Sequence, residues 1–236
     1  MVYKGNSMEK ITADELKEIL SKHEKWLKKE TGGECANLEN ADLTDTSLMN
    51  ANLSQANLAA ANLKGVCLSG ANLSGANLQG ADLSFDISKL EDADHSNVNL
   101  SHANLKGANL NRVKNYYNAD LQSADLSNSN LEYADLHEAN LSKANLSGAN
   151  AQFLNLSHAN LVGAEFKKTI LRHADLSFTD LTDANLQEAN LTLAQLVGAK
   201  LKGADFTDAI IKDTWVKYAN YNEAKNFSGD YYIDAY

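Results

Sequence analysis

A five-residue repeat constrains this chain more than any other feature. Counting in fives from Leu121 gives Leu126, Leu131, Leu136, Leu141, Leu146, Ala151, Leu156, Leu161, Phe166 and Leu171. The series continues through Leu201, Phe206, Ile211 and Val216 to Tyr221. Ala stands two residues before most of these centres, and Asn or Asp one before. A period of five fits neither the helical 3.6 nor the strand 2.0, and a helix would scatter the leucines around its surface. It suits one side of a polygonal coil, with two residues facing in and three facing out. Fixed-period repetition is the mark of a solenoid, in which each unit packs only on its neighbours.

The same step runs unbroken from Leu38 to Leu83. It then slips by two residues across 84–89, is picked up at Leu90, and continues as His95, Leu100, Leu105 and Leu110. A second slip, of one residue, lies within 112–118. With Asn115 taken as a degenerate centre there are about 37 units, of which 29 have Leu at the centre. That regularity fixes the core while leaving three positions in five free for the surface. Proline is absent, as expected of a chain whose backbone N–H groups are nearly all wanted for a ladder.

The unit Ala-(Asn/Asp)-Leu-X-X, over residues 36 to about 221, closely resembles the pentapeptide-repeat family, with consensus A(D/N)LXX. The resemblance implies an all-β solenoid: a right-handed quadrilateral parallel β-helix with four five-residue sides per coil and about nine coils. It also implies that the central Leu and the Ala two before it point inward. Side-chain sizes agree with that geometry. At Ala151 a small residue holds a centre, while Leu154 is large at an Ala position. Such volume-conserving exchanges are the ones cores tolerate best, so the two are expected to touch around one corner. His95 holds a centre and should be partly buried. Phe166 and Phe206 should project from one side, two coils apart. Asn before each Leu can form amide ladders between coils. Asp cannot pair with itself, so mixing the two dilutes repulsion along a stack.

The ends break the pattern. Residues 1–10 read as a flexible leader and 11–33 as a capping helix, followed by repeats over 34–226 and an aromatic tail over 227–236. Thr12 and Glu15 form a capping-box pair, and Leu16, Ile19, Leu20, His23, Trp26 and Leu27 follow at helical spacing up to Gly32 and Gly33. The helix is either a solvated extra or a lid over the first coil; the lid reading, with Trp26 and Leu27 on that coil, answers the exposure of an open solenoid end. The tail, with Phe227, Tyr231 and Tyr232, reads as a plug over the last coil, a dimer contact, or both. Pairing through this end is an implication of the resemblance alone.

The formal net charge is −10, and residues after 31 carry all of the excess, at −11. An acidic rod does not bind nucleic acid through counterion release. No apolar run suggests a signal peptide or a membrane span, and Cys35 and Cys67 fit a reducing compartment, so a cytoplasmic location is expected. No phosphate loop, HExxH, CxxC or serine-nucleophile motif is present. No cofactor is expected, and the chain does not read as an enzyme. Stacking should place His158 beside Glu138, a pair too ordinary to make a metal site.

The outward positions carry the functional expectation. Tyr133, Phe153, His173, Leu193 and Asp213 should form one vertical stripe, with Ile170 and Ile210 on the same side. The adjoining corner gives Tyr117, Glu138, His158, Phe178, Gly198 and Tyr218, with Trp215 close by. Stacked outward side chains shield one another, which explains some enrichment. A continuous apolar patch also marks a partner surface. Three readings follow: a scaffold that binds an unidentified protein or a second copy through this stripe, a DNA-like rod acting on gyrase or topoisomerase, or a structural rod without a partner. The family resemblance brings the second, and charge weighs against it. A rod on the order of 44 Å long would face roughly 26 DNA phosphate charges, against a net −11 here.

Overall fold

The computed structural model describes residues 8–84 and 95–233. Each five-residue unit makes one short extended run and one turn. The turn closes when the Ala N–H donates to the carbonyl of the Leu three residues back, as from Ala144 to Leu141 at 3.0 Å. The residue two after the Leu adopts a left-handed backbone, φ 59° at Lys143 and 57° at Asn40, which is the signature of a type II turn.

Successive coils pair in parallel. Asn130 pairs with Asn150, Asn150 with Ile170, and Ile170 with Asn190, each twenty residues on. A turn every five residues and a partner every twenty make a four-sided coil. One column can be followed from Asn37 through Asn57, Asn77, Asn104, Asp125, Asn145, Glu165, Asn185 and Asp205 to Lys225. Leu126 N–H donates to Asn145 O at 2.7 Å, and Asn145 N–H donates to Ala124 O at 2.9 Å. The ladder thus satisfies backbone groups on both sides of each rung, which burial demands.

Leu141, Leu146, Leu156, Leu161, Phe166 and Phe206 lie in the axis, all wholly or almost wholly buried. Ala151 and Leu154 are both fully buried. Thr169, Thr179 and Thr214 replace Ala at buried positions. Their hydroxyls donate to the carbonyls of Leu146, Leu176 and Leu191 at 2.6–2.9 Å, so none of these three is stranded.

The Asn or Asp position has two tasks. Its side-chain oxygen accepts the N–H two residues on, as from Ser147 to Asn145 at 3.1 Å, which braces the turn. Where it is Asn, the amide also donates to the preceding coil, as from Asn145 to Asp125 at 3.2 Å and from Asn77 to Asn57 at 3.1 Å. Asp performs the first task and receives the second. Among the described pairings no acid stacks directly on another acid.

Both register slips differ from the expectation in detail. Across the first, Asn72 pairs with Asn99 and Asp82 with Asn109, 27 residues on. The chain between Leu83 and His95 therefore holds seven residues more than a side needs, not two. Before Leu90, Ser88 and Lys89 stand where Ala and Asn or Asp belong. Leu90 itself, and the 84–89 bridge beyond Ser84, lie outside the described residues. Across the second slip, partners are 21 apart, as Asn109 is from Asn130. The one-residue insertion is as read, but the centre is Tyr116, not Asn115. Tyr116 is wholly buried, while Asn115 takes a left-handed turn, φ 60°. Val113 keeps the Ala position, and the extra residue is absorbed between the two, as in a bulge. His95 is buried, with its ring against the edge of Tyr116 at 4.7 Å and 85°. Burial pushes the Tyr116 phenol pKa up.

At the N-terminus a two-residue strand β1 (Glu9–Lys10) pairs with β2 (Ala41–Asp42), and helix α1 spans Ala13–Leu27. Glu15 N–H donates to Thr12 Oγ1, and Thr12 N–H to Glu15 Oε2, completing the capping box. The helix ends at Leu27, before the glycine pair. Lys29 takes the left-handed position, with Lys29 N–H on Trp26 O and Glu30 N–H on Lys25 O, both at 2.9 Å. This is a Schellman motif built without glycine. Leu16, Ile19 and Leu20 meet the apolar core. Trp26 and Leu27 are half-buried, and Trp26 stacks on His23 at 5.5 Å.

His23 is completely buried, and its Nδ1 accepts from Ala36 N–H at 3.0 Å. Burial lowers its pKa below the ordinary 6.5, with the Ser54 backbone opposing. A depressed histidine favours the folded state fully above its unfolded pKa. That contribution is lost as pH falls below 6.5 towards the folded pKa, at about 1.4 kcal/mol per unit of depression. Acidification from about pH 7.5 to about pH 5 should therefore loosen α1 from the first coil. Trp26 fluorescence and amide exchange in α1 should report it, and His23→Phe should flatten both. An unchanged titration in the variant would show that His23 is not the sensor.

At the other end β3 (Lys212–Trp215) pairs in parallel with β4 (Asp230–Tyr232), after a 3-10 turn at Tyr221–Glu223. Phe227 meets Phe206 edge-on at 4.8 Å, with Tyr221 and Tyr231 around it. Tyr232 lies over Trp215 at 4.9 Å. The tail aromatics thus cover the last coil.

Candidate functional site

The turn residues of one side stack into a column, because each lies one coil below the last. Tyr133 and Phe153 rings are 4.6 Å apart and 4° from parallel; Phe153 and His173 are 4.7 Å apart and 6° from parallel. Arg112 closes the upper end, its guanidinium 4.8 Å from the Tyr133 ring centre. Leu193 and Asp213 continue the column below, and the Tyr232 hydroxyl donates to Asp213 at 2.9 Å. Tyr133, Phe153 and Leu193 are about two-fifths exposed, and His173 is exposed too. Ile170 and Ile210 stand on the same side, both exposed.

Between the two columns runs a third: Glu132, Gln152, Arg172, Thr192 and Lys212. Sequence reasoning passed over it because no member is apolar. It also missed Arg112, since the column was followed only from Tyr133 onward.

The adjoining corner is arranged differently from the expectation. Because the centre is Tyr116, Tyr117 moves to the position one after a centre and faces His137 at 5.4 Å. Asn118 takes the left-handed corner position instead. Below it His158 stacks on Phe178 at 5.0 Å. The Phe178 ring lies across Gly198, where an added Cβ would come within 2.6 Å of it. Tyr218 is highly exposed, and Trp215 is half-covered by Tyr232. Among the described residues no three His, Cys, Asp or Glu side chains gather as a metal would need. No described helix is long and apolar enough to cross a membrane.

The left-handed turn recurs on every side, as at Glu138, Lys143 and Glu188, so what sets this column apart is the size of its side chains. The turn residues there have φ of 53–62°, including Tyr133, Phe153, His173 and Leu193. For bulky side chains this costs roughly 1–2 kcal/mol each, where glycine pays nothing. Ring stacking returns about 0.5–1.5 kcal/mol per pair. Stability alone therefore gives little reason to set four large residues in succession at these turns.

No curated protein sequence matches the chain. Among solved structures it is similar to HetL, a pentapeptide repeat protein involved in heterocyst differentiation regulation from Nostoc sp. strain PCC 7120. The identity is 27%, over 86% of this chain and 90% of that one, with a TM-score of 0.36. A pentapeptide repeat protein from the cyanobacterium Cyanothece 51142 is 32% identical over 56% and 85%, at 0.34. QnrB1, a plasmid-mediated fluoroquinolone resistance protein, is 19% identical over 75% and 92%, at 0.37. The family model for pentapeptide repeats matches in eight copies, over residues 36–75, 67–85, 88–114, 119–152, 152–187 and 174–213. The chain therefore belongs to the pentapeptide repeat family, and its coils form a right-handed β-helix solenoid.

Proposed function

We propose that this protein is a non-catalytic recognition module of about nine coils, lidded by α1, that binds a protein through the face carrying Tyr133, Phe153, Ile170, His173 and Leu193. One observation carries the reading: large aromatic side chains stack in the open along one face. Aromatic groups in a row suit an interface core. The axis is filled with leucine, so binding belongs to the outside.

Charge pattern weighs against a DNA-like rod. Wherever an acid stands in a described column, its bridge partners are amides or lysines rather than acids. Many are already committed: Asp120, Asp125 and Asp135 accept from Asn140, Asn145 and Asn155, and Asp180 is paired with Lys200 at 3.2 Å.

The test is affinity capture from the source cell with wild type and a Phe153→Asp/Ile170→Asp variant, both shown folded by circular dichroism. The variant should lose a protein the wild type retains. Equal capture by both would remove the reading. Inhibition of purified gyrase, or protection from quinolone, at roughly micromolar protein would move it to mimicry.

A further inference from the structure

We propose that the face centred on Phe153 pairs with a second copy of this chain, the two rods lying antiparallel about a two-fold axis beside Phe153. This deepens the recognition reading above and rests on it. A two-fold axis in the contact plane, perpendicular to the rods, lays each column on itself in reverse order. With the axis at the Phe153 coil, Phe153 meets Phe153 of the second copy and Tyr133 meets His173. In the middle column Gln152 meets Gln152, an amide that both donates and accepts. Glu132 meets Arg172, and the symmetry makes that ion pair twice.

The column is self-complementary in this register and in none of its neighbours. An axis one coil lower, at His173, sets Glu132 against Lys212 but opposes Arg172 to Arg172. Half a coil lower, Gln152 faces Arg172 and Glu132 faces Thr192; half a coil higher, Glu132 faces Gln152. The two half-coil settings leave each charge without its opposite. Both charges are available for pairing. Among the described residues Arg172 forms no ion pair, and the Glu132 carboxylate accepts only a long contact from Asn111 at 3.5 Å. Both are half-exposed. The least matched contact is Ile170 on Asn130. Five coils at the strand spacing make a patch about 24 Å long, below the size of a standard interface. The dimer is accordingly weak, with Kd on the order of micromolar or above.

Sedimentation velocity on the full chain, from about 1 µM to about 1 mM, tests this. Wild type should pass from monomer to dimer across that range. Glu132→Arg sets like charges against Arg172, and Arg172→Glu sets them against Glu132, each twice over. Either should weaken dimerisation about tenfold or more. The double variant Glu132→Arg/Arg172→Glu restores both pairs and should return within about threefold of wild type. Three outcomes would overturn the proposal: a wild type monomeric throughout, a dimer indifferent to single charge reversal, or a double variant as weak as the singles. A monomeric wild type that still captures another protein through Phe153 and Ile170 would retire the dimer and leave recognition standing. Loss of that capture as well would retire both.

Discussion

Leu154→Ala should cost about 2–5 kcal/mol of unfolding free energy, and adding Ala151→Leu should recover much of that loss. Leu154 is fully buried at a position where the repeat otherwise wants Ala, and Ala151 is fully buried at a centre that is usually Leu. Truncating Leu154 alone leaves a cavity. Enlarging Ala151 alone overpacks the axis and should cost about 1–3 kcal/mol. Together the changes rebuild a consensus unit, so one side chain fills the space the other leaves. The double-mutant cycle should show favourable coupling of at least about 1 kcal/mol. Urea denaturation of the four proteins measures it, with a common slope keeping the cycle interpretable. Strictly additive costs would show that the two side chains do not share space.

Most of the fold was legible because inward positions carry a narrow chemistry. Leu at every fifth residue admits one register, and the buried Leu and Ala columns follow from it. Legibility failed where that chemistry lapsed. Asn115 kept the count of five while Tyr116 kept the apolar character, and burial decided for Tyr116. Leu90 matched by residue type alone, without its Ala and Asn partners. The helix stop was missed because Lys29 adopts the backbone usually reserved for glycine. On the surface, the aromatic column could be placed by counting. Ring spacing, the Arg112 lid and the Phe178–Gly198 contact could not. They depend on rotamers and turn geometry, which a period does not encode.

The ladder sets a second strong expectation. Asn145→Asp should destabilise the rod by about 1–3 kcal/mol at neutral pH. The substitution keeps an oxygen to accept from Ser147 N–H but removes the amide that donates to Asp125. It also sets a carboxylate between Asp125 and Glu165, the partners of Asn145 in the coils on either side. Crowded carboxylates bind protons more readily folded than unfolded. The penalty should therefore be full above the ordinary carboxylate range and fade as pH falls towards about 4. Added salt should reduce it as well. Asn145→Ala, which adds no charge, should show a loss with neither dependence. The same column shows the opposite case at Asp205. There the Thr207 hydroxyl and Gln187 amide hold the carboxyl down to about 2, with Lys225 on the next rung. Alternation of acid with amide or lysine is thus how a rod of net negative charge keeps its coils stacked. A variant as stable as wild type, or one whose loss ignores salt and pH, would show that the alternation has no electrostatic role. The charge-density argument against a DNA-like rod would then lose its physical basis in the ladder.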